Sequence, residues 1–127
     1  MIIYIKNKHT LKIDDFSFKC CIGKGGISKE KKEGDKKTPF GSYHIEHLYF
    51  RKDKIIKPFT KLKCIEIKKN MGWCDDPKSK YYNKLIVIRK NLKISFEKLF
   101  RKDHKYDLLI PIKYNYKKIV KNKGSAI

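Results

Sequence analysis

The sequence holds a single alanine, Ala126, and only three arginines, Arg51, Arg89 and Arg101, leaving 33 − 3 = 30 lysines beside 18 isoleucines. Lys and Ile follow A/T-rich codons, and Ala and Arg follow G/C-rich ones, so much of this skew is the mark of an AT-rich genome. The shortage of Arg argues against sequence-specific nucleic-acid binding, because the planar guanidinium fork is what matches guanine edges and phosphates. Acids are scarce as well, 13 against 33 bases, for a net charge of +20. The lysines are spread along the whole chain, so this charge implies solubility and attraction to polyanions more than chemistry. Long apolar runs are missing: the longest, at 85–88 and 108–112, cannot cross a bilayer. The opening MIIYIKNKHT contains no apolar core of signal-peptide length.

Other absences concern chemistry. No CxxC pair exists: Cys20 and Cys21 are adjacent, and Cys64 and Cys74 lie ten apart, which removes the usual zinc signatures. A Cys64–Cys74 disulfide stays open if the compartment is oxidising. His44 and His47 differ by an odd number and so point to opposite faces of a strand, which spoils them as joint ligands. The glycine-rich stretch 23–41 fits neither phosphate-cradling pattern. Cys74 sits between Trp73 and the pair Asp75-Asp76, where two carboxylates oppose thiolate formation, so a structural loop cysteine is the reading set against a catalytic pair with His104.

What is present is core-forming material. Eight Tyr, seven Phe, one Trp and the isoleucines suffice for the interior of one domain of this length. Short apolar runs separated by turn residues predict a mainly β fold. Strands are expected at 1–5, 11–13, 16–22, 42–50, 62–67 and 107–114, with Tyr43, Ile45, His47 and Tyr49 on one face of the fourth. The segments 23–41 and 70–83 read as loops. Ser95 is a candidate N-cap for a short helix near 95–102, with Phe96, Leu99 and Phe100 on one side.

Four stretches in order carry a more specific signal: KKEGDKKTPFGSYHIEHLYFRKD, GWCDDPKSKYYN, SFEKLFRKDHKYDLLIPIKYN and GSAI. Together they resemble one branch of the L,D-transpeptidase catalytic domains of YkuD type, over residues 20–127. The EGD-x-x-TPxG-x-[FY] stretch at 33–43 matches the family's loop leading into a strand. GWCDDP at 72–77 followed by Tyr82-Asn83, and D-x-x-YD at 103–107, fit the same branch. Lys36 stands where Gly is common and Pro111 where a β-branched residue is usual.

The resemblance implies a YkuD-type, β-sandwich-like fold with residues 1–127 as the N-terminal part of a single catalytic domain, incomplete at its C-terminus. It implies a bacterial enzyme of the cell envelope or periplasm that acts on peptidoglycan stem peptides without a cofactor or metal. In the family a Cys thiolate attacks the carbonyl of the third stem residue, expels the terminal D-amino acid and forms a thioester, which an amine or water resolves. GSAI opens the strand that leads to the catalytic His, and the nucleophilic Cys follows in a Ser/Thr-x-Gly-Cys segment. Both are expected beyond Ile127, so this chain should be inactive by itself and should expose apolar sheet edges. Trp73, Asp75, Asp76, Tyr82, Asn83, Gly124 and Ser125 are the residues the resemblance places at the substrate cleft. The alternative function is a non-catalytic basic β module that binds an anionic polymer, cell wall or nucleic acid.

Overall fold

A computed structural model describes all 127 residues, in two compact units, Met1–Gly41 and Ser42–Ile127. It contains eleven short strands and no helix.

In the first unit, β1 (Ile3–Asn7), β2 (Thr10–Ile13) and β3 (Phe16–Lys19) form an antiparallel meander. The register aligns Ile3, Ile13 and Phe16 in one row and Ile5, Leu11 and Phe18 in the next alternate row. Those six residues therefore share one face, and it is open: Phe16 is 69% and Phe18 50% exposed. The stretch expected as a plain loop is organised by β4 (Ile27–Ser28) running parallel to β5 (Thr38–Pro39). Asp35 ties it together. Its carboxylate receives the Lys31 ammonium at 2.9 Å and the N–H groups of Lys32 and Lys37 at 2.8 and 2.9 Å. Desolvation pushes the Asp35 pKa up, but these donors outweigh it and draw it down to about 2. Gly23 packs so closely that a Cβ there would lie 2.2 Å from the Lys36 carbonyl oxygen.

The second unit has two three-stranded sheets. In one, β6 (His47–Phe50) lies between β7 (Lys63–Glu66), which runs parallel to it, and β11 (Leu108–Leu109), which is antiparallel. The expected 42–50 strand is thus only its second half, although Ile45 still makes an isolated bridge to Ile112. In the other, β8 (Met71–Cys74) is central, flanked by β9 (Leu85–Val87) and β10 (Phe96–Lys98). GWC is therefore the middle strand of a sheet, where a loop was expected. Gly72 is what lets it fit, since a Cβ there would come within 3.1–3.3 Å of Phe96 and Ile88 side chains. The two sheets share one core of Tyr49, Ile67, Trp73, Leu99 and Tyr106, with Leu99 fully buried.

The helix expected near 95–102 is absent, and its place is taken by β10. Phe96, Glu97 and Lys98 pair with Cys74, Trp73 and Gly72. Such a short helix would have to meet the cost of nucleation with few bonds in return, whereas the edge of β8 offers a ready ladder. Phe96, Leu99 and Phe100 find their partners without helical geometry: Leu99 fills the core, and Phe100 stacks under the Arg51 guanidinium at 3.6 Å. Ser95 caps nothing, and its hydroxyl donates to Asp75 at 2.6 Å.

Arg51 stabilises the turn that leaves β6. It is 3% exposed, and its fork donates to both Asp53 carboxylate oxygens at 2.7 and 2.8 Å and to the Arg101 carbonyl. Its own N–H donates to the Asp107 carbonyl at 3.0 Å. A buried guanidinium is tolerable here because its donors are paired and its face lies on an aromatic ring.

Candidate functional site

The second unit contains a cleft of about 690 Å³ beside β6 and β8. Alternation along β6 sends His47 and Tyr49 to the same wall, their ring centroids 6.4 Å apart. Trp73 from β8 and Asn83 supply a second wall, and Ala126 from the GSAI stretch adjoins them. Pro111, Ile112, Lys113, Tyr116 and Lys117 also line it. The cleft thus has an aromatic and aliphatic lining with a few polar groups, as ligand sites commonly do.

Its charge is uneven. Lys84, Lys113 and Lys117 face one acid, Glu46. Glu46 is paired with Lys113 at 2.6 Å, and that hydrogen bond lowers the Glu46 pKa and raises that of Lys113. Lys84 and Lys117 have no carboxylate partner, so the cleft is net positive. Burial, with a smaller contribution from Tyr116, pushes the Tyr49 phenol up and keeps it neutral.

The residues singled out by resemblance take distinct places. Trp73 and Asn83 line the cleft and are joined: the Trp73 indole donates to the Asn83 side-chain oxygen at 3.0 Å. Tyr82 is 2% exposed, and its hydroxyl accepts the Gly124 N–H at 2.9 Å. Gly124 has φ +95°, a conformation that suits glycine. The Ser125 hydroxyl donates to the Ile127 carbonyl at 3.4 Å. Asp75 and Asp76 do not line the cleft. Asp75 accepts from the Ser95 hydroxyl, and Asp76 accepts from the Ser95 and Lys78 N–H groups at 3.3 and 3.0 Å, fixing the turn after β8.

Several lining residues were not singled out from sequence. The alternation of residues 47 and 49 was legible, but nothing local signals that Glu46 meets Lys113 or that Tyr116 faces Tyr49.

The four cysteines are free thiols, and none hydrogen-bonds an imidazole through its sulfur. Cys74 is completely buried. His104 lies at the surface, its Nδ1 2.7 Å from an Asp107 oxygen. Asp107 is held by His104 and Lys54, which keep its carboxyl below the ordinary range despite desolvation. With its sulfur sealed in the core, Cys74 does not meet the exposure that a nucleophile requires.

In comparisons with known proteins, the chain matches no curated protein and no solved structure. It does match the family model of the YkuD L,D-transpeptidase catalytic domain, over residues 1–127. All-β architecture, the ordered EGD, GWCDDP and GSAI stretches, and a match that spans every residue lead to one conclusion: the chain belongs to the L,D-transpeptidase catalytic domain family of YkuD type.

Proposed function

We propose that residues 1–127 form the substrate-binding part of a single catalytic domain that carries out acyl transfer on peptidoglycan stem peptides in the bacterial cell envelope. The family match over the whole chain is the observation that carries this reading. The cleft supports it. Its aromatic walls suit the aliphatic parts of a short peptide, and its two unpaired lysines suit a ligand rich in carboxylates. Trp73 contacts the peptide in this reading, while Asn83, Tyr82, Gly124, Ser125, Asp75 and Asp76 shape the wall behind it. The chemistry in this reading is the family's, a Cys thiolate activated by a His. The thiolate would attack the carbonyl of the third stem residue, and the thioester so formed would pass to an amine or to water, with the terminal D-amino acid leaving.

Titrating the chain with a soluble stem tetrapeptide, with the emission of Trp73 as the signal, tests this directly. Trp73 is the only tryptophan, so the signal reports the cleft alone. Saturable binding without release of the terminal D-amino acid is the expected result. No binding would remove the stem-peptide reading, and release of the D-amino acid would show that the nucleophile is among the residues present.

The second reading, a basic module that holds an anionic polymer without chemistry, is favoured by the net charge of +20. Steep weakening of polymer binding with added salt is its signature.

A further inference from the structure

The dipeptide Tyr-Asn occurs twice, as Tyr82-Asn83 and Tyr114-Asn115, and both copies hold the same stretch of chain. Both asparagines adopt left-handed backbone, φ +56° and +48°, which Asn tolerates better than most residues. The Asn83 amide uses its full capacity. Its oxygen accepts from the Trp73 indole at 3.0 Å and from the Ala126 N–H at 2.7 Å. Its NH₂ donates to the carbonyls of Tyr114 at 3.1 Å and Asn115 at 2.8 Å, so the first pair grips the second. Asn115 in turn donates to the carbonyls of Val120 and Gly124 at 2.9 and 3.1 Å and accepts the Val120 N–H at 2.8 Å. The two tyrosines reach the same segment: Tyr82 accepts the Gly124 N–H, and the Tyr114 hydroxyl donates to the Lys123 carbonyl.

Asn83 is 4% exposed and Tyr82 2%, so these polar groups have left water and need their partners. Their partners lie on the stretch that contributes Ala126 to the cleft, and on Trp73 beside it. We infer that the two Tyr-Asn pairs are a clamp of positioning residues, which sets Gly124 and Ala126 against Trp73 and thereby fixes the peptide-facing wall. The inference rests on the reading of the cleft as the stem-peptide site.

The test uses the whole 127-residue chain with Tyr82→Phe, Tyr114→Phe and Asn83→Asp, and Tyr81→Phe from the same turn as control. Two readouts are taken: hydrogen exchange at the Gly124 amide and the Trp73 indole, and the dissociation constant of a stem tetrapeptide from Trp73 emission. Tyr82→Phe should speed Gly124 exchange and weaken the peptide, each by about tenfold, as loss of a buried acceptor implies. Asn83→Asp keeps both accepted bonds but turns an anion toward two carbonyl oxygens. Its binding should therefore be weak at neutral pH and recover toward about pH 4, where the protonated acid donates again; wild type should show no such recovery.

If Asn83→Asp does not fold, the two Phe variants, each lacking one oxygen, decide the matter. Unchanged exchange in both Phe variants overturns the clamp. Faster exchange with unchanged peptide affinity overturns its positioning role. Failure of the wild type to bind the peptide removes the stem-peptide reading and with it the positioning role, while exchange at Gly124 and Trp73 still judges the clamp as a structure.

Discussion

At the scale of single residues, burial decides which groups can react and which hold structure. Cys21 is exposed and Cys74 fully buried, so a thiol alkylating agent should label Cys21 in the native protein and reach Cys74 only after denaturation. Labelling of Cys74 at a rate comparable to Cys21 would contradict the core placement. Asp35 shows the same logic with charge. Its folded pKa, about 2, lies below its ordinary value of 3.8, so ionised Asp35 favours the folded loop. That contribution is complete above the unfolded value and is lost as pH falls through about 2. Asp35→Asn should quicken exchange of the Lys37 N–H by about ten- to a hundredfold at neutral pH, since hydrogen bonds to a charged acceptor are worth about 1.5–3 kcal/mol. The difference between variant and wild type should shrink on acidification toward the lower pH. An unchanged gap across that range would mean that the carboxylate charge is not what orders the loop.

At the scale of elements, the segment 95–102 is the informative case. Helical spacing of Phe96, Leu99 and Phe100 is real in the sequence, yet the chain runs as β10, because β8 presents unpaired backbone on that side. Glu97 then joins β10 to the turn beyond it, accepting from Lys105 at 2.6 Å and from the Tyr106 hydroxyl at 2.7 Å. Desolvation pushes the Glu97 carboxyl up, but these two donors outweigh it and bring it below its ordinary value. Tyr106 is 7% exposed, and burial raises its phenol pKa, with the Glu97 acceptor adding to the effect. Glu97→Ala leaves that buried hydroxyl without its acceptor and should cost about 1–3 kcal/mol in urea denaturation. Leu99→Ala, just past the strand, should cost more, about 2–5 kcal/mol, because it opens a cavity between the two sheets. Equal and negligible costs for both would place this segment at the surface rather than against the core.

At the scale of the whole molecule, the net charge and the cleft make separate predictions. Affinity for a nucleic acid or another polyanion should fall by about 10³–10⁵ between low and moderate salt if many lysines contact it. A stem peptide held in the cleft at Trp73 should change by only about a few-fold over the same range, since few charges take part. A peptide affinity that fell as steeply as the polyanion affinity would favour the basic-module reading. The sequence alone determined the mainly β class, the absence of a long apolar span and the family, because periodicity, run length and ordered motifs are local quantities. It also carried the two Tyr-Asn pairs in plain view. Only the tertiary structure decided that residues 71–74 are a central strand and that 96–98 pair with them, because backbone hydrogen bonds to distant residues outweighed weak local preferences. It likewise decided that Asn83 meets Trp73, Tyr114, Asn115 and Ala126 at once. A side chain's four partners, drawn from segments up to 43 residues away, leave no trace in local spacing; they exist only once burial has forced each polar group to find another.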